Sequence, residues 1–173
     1  MLHWHDHLIR ATPYRPWLQV KGSLTHALMA RCQAFNVVRL SQRSAPAHLD
    51  EERLMGLPHG RQATIREVLL RCGENPLVFA HSVIPRAGLR GPWIGLSGLG
   101  NRPLGAALFS DPVIQRHPLE FTDLDRRHPL YRKAAAHLDA APATLWARRC
   151  RFTRDGHSIL VTEVFLPVVL ELP

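Results

Sequence analysis

Two charged residues stand where apolar residues are expected in strand-like segments. In residues 64–70, Arg66 occupies an inward position of an apolar alternation, and in residues 160–167 Glu163 does the same. A period of two is typical of strands with one buried face. A buried charge is costly unless it is paired or used. The two residues therefore predict either a buried Arg66–Glu163 ion pair or a pocket for a small anion with a polar far end.

Two further polar residues point toward predicted apolar faces. Arg148 shares its face with Trp146, and His81 alternates with Phe79. A single inward arginine is typical of a scaffold for buried carbonyls or for Glu163, with a substrate contact as the alternative. A lone histidine in such a place is usually a satisfied core residue.

Known metal and phosphate motifs do not explain the chain. His3, His5 and His7 share a face if the N-terminus is extended, but such clusters often bind metal adventitiously, and we expect no functional metal site there. The glycines of residues 95–105 do not form a phosphate-binding loop, and a Gly-x-Ser-x-Gly nucleophile elbow is absent from the sequence.

Composition limits the class of protein. The 173 residues suffice for one domain, and 46% hydrophobic residues exclude wholesale disorder. The formal charge of +8 favours anionic partners. The arginines are scattered rather than gathered on one helix, so we expect no nucleic acid partner. No apolar stretch approaches the roughly 18 residues of a spanning helix, so we expect no membrane insertion.

The three cysteines predict free thiols. Cys32, Cys72 and Cys150 are odd in number, far apart and without a Cys-x-x-Cys pair. We therefore expect reduced thiols in a cytoplasmic protein.

The chain divides into an irregular arm at residues 1–16 and one domain at 17–173. Two hairpin turns are predicted, at Gly73–Pro76 and at Asp155-Gly156. About six strands joined mostly by hairpins predict an α+β domain, a six-stranded antiparallel sheet with short helices packed on one face. The predicted elements are helices at 22–31, 103–109 and 130–139, strands at 35–40, 62–72, 77–84, 113–122, 145–153 and 158–166, and loops at 43–60 and 86–103.

The chain resembles the chorismate lyase (chorismate–pyruvate lyase) family through sequence blocks that occur in the family's order. The most specific block joins residues 145–149 (LWARR) to residues 162–167 (TEVFLP). The other matches are residues 65–70 (IREVLL), 83–85 (VIP), 102–105 (RPLG) with 108–109 (LF), and, more weakly, 17–18 (WL) with 22–25 (GSLT).

This resemblance implies a single-domain enzyme, expected to be a cytoplasmic monomer, that converts chorismate into 4-hydroxybenzoate and pyruvate for ubiquinone synthesis. The family fold is a six-stranded antiparallel sheet with helices. The substrate is held in an internal cavity under flap-like helices, and the family uses neither a metal nor an organic cofactor.

The resemblance also implies roles for five residues. The carboxylate-binding arginine of the family falls on Arg66 and its acidic residue at the hydroxyl end on Glu163, and we expect both to be catalytic. Backbone N–H contacts to the substrate fall on Leu104 and Leu24. His81 stands where relatives often carry an arginine that helps to receive the second carboxylate. A histidine there predicts activity that declines above its pKa.

Several alternatives stay open at this level. The reaction can be an internal pericyclic transfer or a stepwise elimination assisted by Glu163, and residues 43–60 can be a lid or a plain loop. Residues 125–144 look like an extra surface helix without a catalytic role. The same fold also serves as a ligand-sensing domain of bacterial transcription regulators, or it could carry 4-hydroxybenzoate. Arg66 and Glu163 together favour the enzyme, as does the lack of a preceding DNA-binding module.

Overall fold

The computed structural model describes residues 3–173 and contains seven strands and six short helices in that range. The helices are α1 (Arg15–Leu18), α2 (Leu24–Met29), α3 (Leu49–Met55), α4 (Arg86–Leu89), α5 (Leu104–Ser110) and α6 (Pro129–Ala135), with 3-10 turns at Ile94–Gly98 and Pro167–Glu171. The strands are β1 (Phe35–Pro46), β2 (Gln62–Cys72), β3 (Asn75–Pro85), β4 (Gln115–Arg116), β5 (Glu120–Asp125), β6 (Thr144–Arg154) and β7 (His157–Phe165).

All seven strands form one antiparallel sheet in the order β1-β2-β3-β7-β6-β4, with β5 also paired to β6. The α+β class is confirmed, but the sheet has seven strands where six were predicted. The predicted strand at 113–122 is two strands, β4 and β5, which pair with successive parts of β6. Pro118 lies between them and lacks the N–H that a continuous ladder would need.

The predicted loop at 43–60 is wrong in most of its length. Strand β1 continues to Pro46, and α3 follows. The end of β1 is polar because β1 is an edge strand that pairs only with β2 and leaves much of its surface in solvent. Both predicted hairpin turns are confirmed, and Asp155 and Gly156 have the positive φ values of 48° and 75° that a tight two-residue turn requires.

The pairing register sorts the buried charges onto two faces of the sheet. Directly opposed residues share a face, and Ala80 pairs with both Val68 and Glu163, while Glu163 pairs with Arg148. Arg66 lies two residues before Val68 and so points to the same side, which we call the Arg66 face.

His81 belongs to the opposite side of the sheet. It pairs with Glu67 and with Thr162, and Thr162 pairs with Arg149. We call this side the His81 face.

Helices cover both faces, rather than one as predicted. Leu24 and Leu28 of α2 belong to the same buried cluster as Val68 and Phe165 on the Arg66 face, and α5 packs beside them. On the His81 face, α6 packs against Phe79 and Val164, and the side chain of Leu54 in α3 contacts a cluster around Ile65. Within residues 3–173 no helix has the length and apolarity needed to cross a membrane.

Cys32 and Cys72 form a disulfide, so the prediction of three free thiols is wrong; Cys150 alone is free and buried. The two cysteines are 40 positions apart in sequence. They meet because Phe35, three residues after Cys32, pairs with Cys72 across β1 and β2. The bond therefore joins the segment that follows α2 to the end of β2, an adjacency that sequence spacing does not reveal.

Candidate functional site

Arg66 is a buried cation without a buried anion. Its side chain, in a residue that is 2% exposed, donates from Nη2 to the carbonyls of Gly100 (3.1 Å) and Arg102 (2.9 Å). Its Nε is buried and has no hydrogen-bond partner within the described chain, where no carboxylate lies within ion-pair distance of the guanidinium. Burial, and secondly the charge of Arg39, lower the pKa of the Arg66 guanidinium. Such a group is stabilised by an anionic ligand.

Glu163 pairs with Arg148 and not with Arg66, so the Arg66–Glu163 ion pair is not formed. Arg148 Nε donates to Glu163 Oε2 at 2.5 Å. Arg148 Nη1 also donates to the carbonyls of Trp17, Leu18 and Val20, at 3.4, 3.2 and 3.0 Å. The scaffold role predicted for Arg148 is confirmed, and it fixes the orientation of the Glu163 carboxylate.

Arg66 and Glu163 lie on one face at a distance that leaves space between them. Their strands are separated by β3, and Arg66 is offset by two residues along the strand from the position opposite Glu163. This places the two Cα atoms about 12 Å from each other. The face therefore has a cation at one end and a fixed carboxylate at the other.

The N-termini of α2 and α5 meet beside Arg66. The Cα of Gly105 lies so close to α2 that a Cβ there would be 3.5 Å from Thr25 Oγ1 and 3.8 Å from Ser23 Oγ. Leu24 and Leu104 are the first residues of the two helices, where backbone N–H groups have no intrahelical acceptor. Arg66 bonds the Arg102 carbonyl two residues before Leu104, so the structure brings Arg66, Leu24 and Leu104 into one neighbourhood.

A small cavity lies between α5, α2 and the Arg66 face, and Arg66 itself is not among its lining residues. Its volume is about 20 Å³, enough for one water molecule. The charged residues of its wall are Arg148, Glu163 and Arg116, and sequence reasoning missed the last. The remaining lining residues are Leu24, Gly105, Leu108, Phe109, Leu119, Cys150, Phe152 and Val161.

The cavity is covered by Gly105, Leu108 and Phe109 of α5, which belongs to a segment of residues 86–110 that we call the flap. The flap contains α4, the turn Ile94–Gly98 and α5, and its Trp93, Leu96 and Leu108 belong to one buried cluster with Phe152 of the sheet. The predicted alternative of a lid at residues 43–60 does not fit, because α3 in that range packs on the His81 face.

His81 is not brought to the other predicted site residues. It is 1% exposed on the His81 face, where Nδ1 lies 3.0 Å from Glu67 Oε1 and Nε2 lies 3.3 Å from Glu51 Oε1. Lys133 completes the chain by pairing with Glu67. This placement does not fit the predicted contact between His81 and the second carboxylate of the substrate, because the sheet separates His81 from the face that carries Arg66 and Glu163.

The buried charges of the His81 face stabilise one another. Burial disfavours the anion of Glu67, but hydrogen bonds from His81 and Lys133 outweigh it and lower the pKa of Glu67 to about 2. Burial likewise disfavours the imidazolium of His81, but the contacts with Glu51 and Glu67 outweigh it and raise the pKa of His81. His81 is therefore a core histidine, as the alternation around Phe79 favours, although its Nε2 has no hydrogen-bond partner among the described residues.

The N-terminal histidines do not form a cluster with other metal ligands. His7 lies 2.6 Å from Asp6 at the surface, and His5 forms a single bridge to Phe121 of β5. Within residues 3–173, the group of side chains that could hold a metal is His48, Glu51 and His81.

Comparison with known sequences finds a family match and relatives over almost the whole chain. The family model described as chorismate lyase matches residues 5–171. A "Probable chorismate pyruvate-lyase" of Nitrosospira multiformis is 49% identical over 98% of this chain and 95% of that protein. The protein of the same name from Aromatoleum aromaticum is 52% identical over 92% of this chain and 87% of its own length.

Solved structures with the same fold come from transcription regulators. The C-terminal domain of PhnF matches with a TM-score of 0.59 at 15% identity, over 75% of this chain and 80% of that domain. The C-terminal domain of the histidine utilization repressor from Pseudomonas syringae matches with a TM-score of 0.57 at 9% identity, over 77% and 92%. At these identities the likeness shows the fold alone.

Proposed function

This chain belongs to the chorismate lyase family, and from that premise we propose that it eliminates pyruvate from chorismate and forms 4-hydroxybenzoate. The single observation that carries the proposal is Arg66, a buried guanidinium with an unpaired Nε and no carboxylate partner among the described residues. The relatives named as regulators share only the fold. The enzyme is therefore a carbon–oxygen lyase.

We assign the ring carboxylate to Arg66. A guanidinium binds a carboxylate through two parallel hydrogen bonds, and in a dry cavity such a contact also orients the substrate. The backbone N–H groups of Leu24 and Leu104 complete this carboxylate site. The support is the meeting of the two helix N-termini next to Arg66.

We assign the 4-hydroxyl group to Glu163. Its carboxylate is oriented by Arg148 and lines the cavity, so it can accept a hydrogen bond from the hydroxyl in both substrate and product. In the reaction the proton at C4 leaves, the ether bond at C3 breaks, and the enolpyruvyl methylene gains a proton to give the methyl group of pyruvate. The ring becomes aromatic, which drives the elimination forward. Concerted and stepwise routes both use the Glu163 contact to position C4.

Substrate entry requires the flap to move. A cavity of about 20 Å³ holds a water molecule and not an aromatic acid. Residues 86–110 are the part of the cover whose displacement opens the Arg66 face while the sheet stays intact. Opening of such a cover often limits turnover, and the same closure would retain the product.

We further propose that the protein acts as a cytoplasmic monomer that supplies 4-hydroxybenzoate for ubiquinone synthesis, without a nucleic acid partner. Three of its arginines, Arg66, Arg148 and Arg149, are buried and add nothing to a basic surface. Disulfides are rare in reducing compartments, so the Cys32–Cys72 bond tests the location. Acid quenching of cells followed by thiol alkylation is the test: both cysteines reduced in cells would support the cytoplasm although the structure holds them bonded, and a persistent bond would contradict that location.

The test of the function is turnover without added cofactor. Purified protein is incubated with chorismate, and 4-hydroxybenzoate and pyruvate are followed together. Equal release of both products, lost in Arg66→Ala and kept in Arg39→Ala, supports the proposal. Arg39 is the control because its charge acts on Arg66, but its side chain is exposed on the edge strand β1. Tight binding of 4-hydroxybenzoate without turnover would instead indicate a carrier or sensor.

A further inference from the structure

The His81 face contains three buried ligand-type atoms aimed at one point. Glu51 Oε1 and His81 Nε2 are both fully buried, His48 Nε2 is buried as well, and none of the three has a hydrogen-bond partner in residues 3–173. Glu51 Oε1 and His81 Nε2 are 3.3 Å apart, but their angles do not make a hydrogen bond. Buried polar atoms are nearly always satisfied, so three neighbouring exceptions need a cause.

We propose that His48, Glu51 and His81 bind a divalent transition metal ion of the zinc type. Each residue offers one ligand atom, and the three atoms lie within 4.8 Å of one another. Two imidazole nitrogens and a carboxylate oxygen are a common ligand set for Zn²⁺. Metal–ligand distances of about 2.0–2.2 Å at tetrahedral angles place ligand atoms about 3.3–3.6 Å apart, which the Glu51–His81 pair already meets.

The surroundings of the three residues support a metal rather than a chance cluster. His81 Nδ1 lies 3.0 Å from Glu67 Oε1, and this outer carboxylate holds Nδ1 protonated and turns Nε2 toward the ligand position. The other oxygen of Glu51 accepts from the His48 backbone N–H at 2.8 Å, which leaves Oε1 for the metal. Ligand orientation by such outer contacts is typical of metal sites.

An entry path reaches the site through the groove beside α3. This groove has a volume of about 700 Å³, and His48 lies on its wall, whereas Glu51 and His81 do not line it. A fourth ligand, such as water, would reach the ion from the side of His48. His128 lies nearby, but its Nδ1 cannot be a metal ligand, because this atom accepts a hydrogen bond from the Leu130 N–H at 3.2 Å.

The bound ion would fasten α3 to the sheet. His48 and Glu51 come from the start of α3, and His81 comes from β3. The metal would therefore join two elements whose ligands His48 and His81 are 33 positions apart in sequence. Binding replaces the proton on His81 Nε2, which is released to solvent. The Arg66 face lies on the other side of the sheet, so the site is separate from the proposed chemistry.

The experiment measures zinc binding to untagged protein that has been stripped with a chelator. Zinc is added in competition with a chromophoric chelator, which gives both stoichiometry and affinity, and Co²⁺ is used as a spectroscopic probe of tetrahedral coordination. The background protein carries His3→Gln, His5→Gln and His7→Gln, because the arm can bind metal adventitiously. We expect one Zn²⁺ per chain in this background.

Two ligand variants and one outer variant identify the site. His48→Asn keeps a side chain that can cap α3, and Glu51→Gln keeps a carbonyl oxygen, so both preserve local hydrogen bonding. Each should weaken zinc binding by about 100-fold or more, and Glu67→Gln by about 10- to 100-fold. The matched control is His59→Asn. His59 is exposed and contacts Glu52 of α3, and its replacement should leave the zinc affinity unchanged.

Three results would overturn the proposal. They are no saturable uptake at micromolar Zn²⁺, loss of all binding in the arm background, and unchanged affinity in His48→Asn. Turnover of chorismate serves as the check of folding for each variant, because the Arg66 face does not contain the ligands. If the wild type shows no turnover, the midpoint of urea denaturation serves as the folding check instead, so a folded variant that loses zinc supports the site whether or not the proposed function is correct.

Discussion

The two faces of this sheet hold buried charges of opposite balance. On the Arg66 face, the guanidinium groups of Arg66, Arg116 and Arg148 stand against one carboxylate, Glu163, which leaves two positive charges in excess. That excess matches a substrate with two carboxylates. The face is incomplete until an anion enters.

The charged groups in contact with His81 on the opposite face have the reverse balance. The carboxylates of Glu51 and Glu67 stand against Lys133, and the remaining negative charge is matched by a proton on His81 or by the metal proposed above. Buried charge is tolerated on both faces, but of the three buried arginines, Arg66, Arg148 and Arg149, Arg66 alone has no carboxylate partner among the described residues. The difference shows which buried arginine points to a substrate and which buried ions stabilise the fold.

Replacing Arg66 should have the largest effect on activity. Arg66→Ala removes the cation that receives the carboxylate, and truncation of one partner of a buried charge pair costs about 2–5 kcal/mol. We expect kcat/KM for chorismate to fall by about 100- to 1,000-fold, measured by release of 4-hydroxybenzoate. Arg39→Ala is the control, and equal losses in the two variants would show that the buried position has no special role.

Replacing Glu163 should have a smaller effect on the same face. Glu163→Gln keeps the shape but weakens the acceptor for the 4-hydroxyl group, and hydrogen bonds to charged groups are worth about 1.5–3 kcal/mol. We expect about a 10- to 100-fold loss in kcat/KM and weaker binding of 4-hydroxybenzoate. Wild-type turnover together with wild-type product affinity would remove Glu163 from the site.

Replacing His81 should affect stability and leave substrate binding alone. His81→Gln leaves Glu51 without its charged partner, while Glu67 keeps Lys133, and an unsatisfied buried group costs about 1–3 kcal/mol. We expect that loss in the free energy of unfolding, measured by urea denaturation. The KM of the folded fraction should not change, and a large rise in KM would restore the contact that the sequence resemblance implies.

The sequence correctly places Arg66 and Glu163 on an inward face but does not show that His81 lies on the opposite face, and both outcomes have one physical explanation. A period of two shows which residues of a single strand share a face, so each inward charge was visible in its own segment. It does not show which faces of different strands coincide. That depends on register, and here Arg66 pairs with Ser82 and not with His81.

Two other features were hidden for related reasons. Helix α3 was predicted as part of a polar loop because Glu51 and Glu52 look like exposed residues in the sequence, whereas both are buried. Arg116 lies in a strand of two residues, which is too short to give a periodic signal. The hairpins, α2 and α5 were predictable because their turns, caps and apolar runs are local.

Arg116 gives the smallest and most discriminating prediction, because it tests the charge excess itself. It lines the cavity beside Glu163, its guanidinium lies 4.8 Å from the centre of the Phe109 ring, and it bonds the Lys21 carbonyl. Arg116→Gln reduces the excess from two positive charges to one while it keeps hydrogen-bond donors. Chorismate has two carboxylates and 4-hydroxybenzoate has one, so the loss should fall mainly on chorismate. We expect about a 10-fold rise in KM for chorismate, equal to about 1.4 kcal/mol.

The affinity for 4-hydroxybenzoate should change by less than about 3-fold in the same variant, as measured by calorimetry. Arg151→Gln is the matched control, since Arg151 lies on the same strand as Arg148 but contacts the Leu54 carbonyl on the His81 face. Equal losses for both ligands would mean that Arg116 stabilises the structure through Phe109 of the flap and the Lys21 carbonyl, and does not bind a second carboxylate. The excess charge of the Arg66 face would then be one, the charge of the product, and the enolpyruvyl carboxylate would have to be received outside the cavity wall described here.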